Sequence, residues 1–206
     1  MSLPRIKICG LRDAETARTV AAMGADAIGL VFYAPSPRNV SIETAQTVLA
    51  ALPAFVTSVG LFVNADAEWL RDLLEVLPLD LLQFHGDESP AYCRSFGRPY
   101  IKAVRVKPDT NLLEYAAQYR DARGLLVDAF VEGTPGGTGE AFDWSLIPQD
   151  LPLPLILSGG LHPDNVREAI AAVNPWAVDV SSGVESTRGI KDLSKVEQFI
   201  KAARLA

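Results

Sequence analysis

"RIKICGLRDAETARTVAAMGADAIGLVF", residues 5–32, contains one complete unit of the architecture. The run RIKIC (5–9) reads as a strand and ends at a turn glycine, Gly10. Asp13 then stands in capping position before AETARTVAAM, Gly24 stops that helix, and AIGLVF (27–32) reads as the next strand. Two strands joined through a helix run parallel, because a hairpin turn is too short to bring the chain back in the same direction.

The unit recurs to the end of the chain. Further strand-like runs are TSVGLF (57–62), LLQFH (81–85), YIKAVRV (100–106), GLLVDAF (124–130), LPLILS (153–158) and AVDVSS (177–182), making eight with the first two. Helix starts are marked by Ser41, by Ser89 with Pro90, and by His162 with Pro163. Apolar residues recur at three- and four-residue steps in Ile42, Ala45, Val48, Leu49 and Leu52, and again in Val166, Ala169, Ile170 and Val173. Eight such units predict a single-domain (β/α)8 TIM barrel over residues 1–206. An open doubly wound sheet is the alternative, and it is disfavoured because no GxGxxG follows the first strand.

Composition narrows the function. The 206 residues are 49% hydrophobic and 21% charged with a net charge of −6, which suits one globular domain and argues against a nucleic-acid backbone as partner. Cys9 and Cys93 lie far apart without CxxC spacing, and His85 and His162 form no ligand cluster, so neither a disulfide nor a metal site is expected. The N-terminus has no long apolar stretch and no run reaches the length of a membrane span, so a cytoplasmic protein with no membrane partner is expected. Closure of the sheet removes its edges, which is compatible with a monomer as well as a homodimer.

In a barrel, reactive groups collect at the carboxyl ends of the strands. Here those ends carry Cys9, His85 in QFHGDE, Asp128, LSGG and VDVSSGVE with Asp179. Asp128 alone reads equally well as a capping residue or solvated loop end or as a catalytic carboxyl, and its company favours catalysis. Gly159, Gly160, Ser181, Ser182 and Gly183 form two glycine-containing turns after strands seven and eight, where barrels hold phosphate with converging N–H groups. Arg38, in YAPSPRNVS, carries a planar fork of donors suited to a substrate carboxylate, although a solvated arginine is equally compatible with its position. His85 reads as a substrate contact or a polar strand end; His162 as structural; Cys93 as a small buried hydrophobe. VEGTPGGTGEAFDW (131–144) reads as a lid or as a flexible connection, and the anchors Phe142 and Trp144 at its far end favour the lid. Strand parity places Lys7 inward with Cys9, and Asp179 inward with Ser181, and predicts a buried Lys7–Asp179 ion pair between neighbouring strands one and eight.

Taken in order, KICGLR, GLVF with SPRNVS, QFHGDE, LLVDAF, GGTGEAFDW, LSGGLHPDNV and VDVSSGVES resemble the phosphoribosylanthranilate isomerase family of tryptophan biosynthesis, across nearly the whole chain. Arg188 stands where that family often has proline. The resemblance implies a metal- and cofactor-free Amadori rearrangement of a phosphorylated aminosugar, N-(5-phosphoribosyl)anthranilate, to 1-(2-carboxyphenylamino)-1-deoxyribulose 5-phosphate. It further implies Cys9 as general base and Asp128 as general acid; Arg38, His85 and Asp179 are expected as substrate contacts beside them. The chemistry needs such a pair: the ring oxygen must gain a proton to open, and C2 must lose one to give the enolamine. The related aminosugar isomerase of histidine biosynthesis is the competing enzyme. It carries aspartates at both catalytic strand ends and two phosphate signatures, against Cys9 and one evident signature here. A phosphate-ligand sensor or a redox protein using Cys9 is the competitor from another class; redox chemistry would want a resolving cysteine, and Cys93 falls on an outer helix.

Overall fold

A computed structural model of the chain describes residues 3–107, 109–129 and 143–206. Eight strands, β1 (Arg5–Cys9), β2 (Ala27–Phe32), β3 (Thr57–Phe62), β4 (Leu81–Phe84), β5 (Tyr100–Val106), β6 (Leu125–Ala129), β7 (Leu155–Leu157) and β8 (Ala177–Val180), pair in parallel and in sequence order. β1 pairs with both β2 and β8, so the sheet closes and the open-sheet alternative falls. Strand seven is shorter than expected because Pro152 and Pro154 have no N–H to give its ladder.

Helices α1 (Ala14–Ala22), α2 (Ile42–Ala51), α3 (Ala67–Val76), α4 (Pro90–Arg94), α5 (Leu112–Gln118), α6 (Val166–Val173) and α7 (Leu193–Arg204) cover the outside. Among the described residues, a 3₁₀ turn, Trp144–Leu146, stands before β7. Asp13, Ser41 and Ser89 cap their helices by accepting from Thr16, Thr44 and Tyr92 N–H, as their sequence positions predict. The start expected at His162 is displaced: α6 begins at Val166. The reason lies in Asn165, whose side chain accepts from the His162 N–H at 2.8 Å and donates to the Gly160 carbonyl at 2.9 Å. Those bonds close a turn over the end of β7 before the helix begins.

Strand alternation divides the interior into two environments. Outward residues such as Ile6, Ile8, Ile28, Leu82, Leu125 and Val178 pack against the helices in the main core. Inward residues make a small apolar plug of Ile101, Ala103, Leu126, Ile156 and Ala177, and above it the inward side chains turn polar. That change from plug to polar layer is what sets the site at the carboxyl end. A two-stranded hairpin, β9 (Glu185–Thr187) with β10 (Ile190–Lys191), follows β8 at the same end. Among the described residues no helix is long and apolar enough to cross a membrane.

Candidate active site

One cavity at the carboxyl ends of the strands is lined by Cys9, Arg38, Gln83, His85, Asp128, Ser158, Gly159, Gly160, Asp179, Ser181, Ser182 and Arg188. Every residue expected at the site lines it except Gly183. That glycine lies behind the two turns, where a side chain would collide with the Leu161 carbonyl, so its smallness lets the turns after β7 and β8 pack together.

Cys9 ends β1 in register with Gly29 of β2. A side chain at 29 would lie 2.6 Å from the Cys9 Sγ, so the glycine leaves the room the thiol occupies. Beneath it, Lys7 stands in register with Asp179, and Lys7 Nζ donates to Asp179 Oδ1 at 2.7 Å. Both are buried, and the Ser158 hydroxyl donates to the other carboxylate oxygen at 3.0 Å, which makes the expected ion pair a three-residue unit. Burial alone would lower the Lys7 ammonium, but Asp179 and Cys9 outweigh it and hold the ammonium above its ordinary value. Burial pushes the Cys9 thiol up; Lys7 and Lys191 pull it down, Asp179 opposes them, and burial prevails. The two ammonium groups thus favour the thiolate form while burial opposes it.

Asp128 rises from β6 into the same cavity, and His85 Nε2 approaches its Oδ2 at 3.2 Å. Gln83, two residues before His85 and fully buried, places its amide Nε2 at 2.9 Å from His85 Nδ1. The loop carrying His85 is held by Glu88, which accepts from Asn64 and Gly86 N–H and pairs with Lys102 at 3.0 Å.

The turns after β7 and β8 separate Cys9 from Asp128 around the barrel. Gly159 and Gly160 take left-handed backbone angles, φ +79° and +67°, which aim the peptide groups of LSGG in a way that side-chain-bearing residues rarely adopt. The Ser181 hydroxyl donates to the Cys9 carbonyl at 3.0 Å, so its proton ties this turn to β1 instead of standing free for a ligand.

Arg38 is buried and forked onto Glu185, Nε to Oε1 at 2.7 Å and Nη2 to Oε2 at 2.9 Å. Lys191 Nζ bonds Glu185 at 2.9 Å and the Ser181 carbonyl at 2.9 Å. The hairpin β9–β10 thus links the loop after β2 to the turn after β8. Burial opposes the Glu185 charge, yet Arg38, Lys191 and the Gly189 N–H hold its carboxyl below the ordinary range. Burial lowers the Lys191 ammonium, with Glu185 only partly restoring it.

A profile described as N-(5'phosphoribosyl)anthranilate (PRA) isomerase matches residues 6–202. The chain is 58% identical over 204 residues to the N-(5'-phosphoribosyl)anthranilate isomerase of Pseudomonas fluorescens strain Pf0-1, covering 99% of this chain and 100% of that one. The chain belongs to this family. Among solved isomerases of the family, that of Thermotoga maritima superposes with a TM-score of 0.90 at 42% identity, covering 98% of this chain and all of that one. A phosphoribosyl anthranilate isomerase in complex with reduced 1-(o-carboxyphenylamino)-1-deoxyribulose 5-phosphate superposes with a TM-score of 0.87 at 42% identity and the same coverage.

Within this isomerase frame, sequence reading missed Gln83, Ser158, Glu185 and Lys191. Inward parity with His85 marks Gln83, and Ser158 follows β7 with the inward parity of Ile156. Glu185 and Lys191 carry no such mark, because a hairpin after β8 interrupts the repeat. Arg188 sits exposed at the cavity rim. Cys93 is buried on α4 as expected, and burial pushes its thiol up to about 12. The lid reading falls on residues 131–144, of which 131–142, Phe142 included, lie outside the described residues.

Proposed function

We propose that this isomerase rearranges N-(5'-phosphoribosyl)anthranilate to 1-(2-carboxyphenylamino)-1-deoxyribulose 5-phosphate, with Asp128 as general acid and Cys9 as general base. The observation that carries the reading is the arrangement of one cavity: thiol at the end of β1, carboxyl at the end of β6, and the Gly159–Gly160 and Ser181–Ser182 turns on the strands between them. A sugar phosphate held at those turns extends its ring between the two groups. Asp128 gives a proton to the ring oxygen as the ring C–O bond breaks, and Cys9 takes the proton from C2. Lys7, drawn toward Cys9 and anchored by Asp179, stabilises the thiolate form that accepts it. His85 and Asp179 border the sugar, and Arg38 faces the anthranilate carboxylate with the donors its fork to Glu185 leaves over.

The site is built from one chain, so a monomer is sufficient and a homodimer is compatible; light scattering distinguishes them. The protein is assigned to the cytoplasm, where the substrate of an amino-acid biosynthetic enzyme is made. The functional test follows the loss of anthranilate fluorescence with this substrate and, in parallel, with the aminosugar phosphate of histidine biosynthesis. Turnover of the first supports the reading, and turnover of the second alone overturns it.

A further inference from the structure

Gln83 is buried, its amide group reaches His85, and its carbonyl oxygen Oε1 is buried without a hydrogen-bond partner among the described residues. A buried glutamine that leaves one end unmatched is costly, and its other end is where an explanation belongs. That end is the amide nitrogen, a donor only, at 2.9 Å from His85 Nδ1. With the amide nitrogen assigned to this side, Nδ1 accepts and the ring proton of a neutral His85 sits on Nε2, which lies 3.2 Å from Asp128 Oδ2. The chain of contacts runs in one direction, from amide to imidazole to carboxyl.

We propose that Gln83 is a positioning residue for the acid: its amide holds His85 as the Nε2–H tautomer, and that N–H stabilises the charge left on Asp128 when the carboxyl gives up its proton. The proposal rests on the reading of Asp128 as general acid. Oδ2 of Asp128 faces His85, and the acid role requires the carboxyl to start with its O–H bond intact. When that O–H bond breaks, the proton goes to the ring oxygen and the electron pair stays on the carboxylate. His85 keeps its proton throughout, so no imidazolium forms. Arg105 and Ser158 flank the carboxyl on the neighbouring strands. Arg105, in register with Asp128 on β5, donates to Asp87 at 3.2 Å. Ser158, following β7, donates to Asp179, which holds Lys7.

The chain has two histidines, so ¹⁵N spectra of the imidazole rings show His85 beside His162 as an internal reference. The wild-type protein is expected to show His85 protonated on Nε2 and bare on Nδ1. Gln83→Glu replaces the donor by an acceptor of the same shape and is expected to protonate Nδ1. Gln83→Met, which supplies neither, leaves the two tautomers mixed. Both variants are expected to lower kcat about tenfold, with KM for the anthranilate substrate within about threefold, because a hydrogen bond to a developing charge is weakened while binding is not. Unchanged kcat in both variants overturns the proposal, and so does a fall in kcat with wild-type His85 ring signals, which makes Gln83 structural. Absence of any turnover by the wild-type chain would instead overturn the reading of the reaction, since the tautomer is read without substrate.

Discussion

Gly29→Ala tests whether the thiol is held where the chemistry needs it. The new methyl would stand 2.6 Å from Cys9 Sγ, 3.1 Å from its Cα and 3.2 Å from its Cβ. The Cα and Cβ contacts are tight, and small adjustments relieve them. The sulfur contact is not of that kind: Sγ must withdraw by about 1 Å to reach ordinary van der Waals separation. The inserted methyl costs about 1–3 kcal/mol of stability, the usual range for overpacking a filled interior. A displacement of about 1 Å in a reacting group costs on the order of a hundredfold in rate. The fluorescence assay should therefore show kcat reduced by roughly 30- to 100-fold, with KM nearly unchanged because the phosphate turns are untouched. Urea unfolding, measured in parallel, confirms that the variant is folded at the assay temperature. A kcat within about twofold of wild type would refute the placement of Cys9 at the reacting carbon.

Arg38→Lys keeps a charge but loses the fork onto Glu185; KM for the anthranilate substrate should rise at least about tenfold while inhibition by inorganic phosphate changes less than about threefold. Equal changes for both ligands would place Arg38 in the scaffold that Glu185 and Lys191 build beneath the phosphate turn. Because the Glu185 carboxyl is depressed in the folded state, its contribution to stability is complete above the unfolded value of about 4.3 and is lost as pH falls through the folded value. Glu185→Gln should thus be less stable than wild type at pH 7, with the gap closing below about pH 4; a constant gap contradicts the linkage. Cys93, its thiol pushed up to about 12 by burial, should resist thiol reagents in the native protein at neutral pH, and rapid labelling would show that α4 opens.

The barrel was legible because each of its strands is a short apolar run and most are followed by a capped helix, and the caps at Asp13, Ser41 and Ser89 are made by the expected side chains. Cys9, Asp128 and Asp179 were visible as polar residues at the ends of such runs, and parity alone placed Lys7 against Asp179. What escaped is non-local or breaks the repeat. Arg38 and Glu185 are 147 residues apart, and nothing in either segment says that the guanidinium meets a buried carboxylate. The start of α6 was misplaced because Asn165 spends its side chain on the turn before the helix. Gln83 was overlooked because a single amide in an apolar strand carries no chemistry of its own; it matters only through the ring it touches.

The acid–base pair is the centre of the account, and the kinetics of Cys9→Ser and Asp128→Asn under conditions where chemistry limits turnover test it most directly. Each substitution is expected to lower kcat by at least about a hundredfold, the usual scale for loss of a general base or acid. Binding of the reduced product analogue should stay within about tenfold of wild type, since neither side chain belongs to the phosphate turns. Either variant retaining most of the wild-type turnover would contradict the assignment.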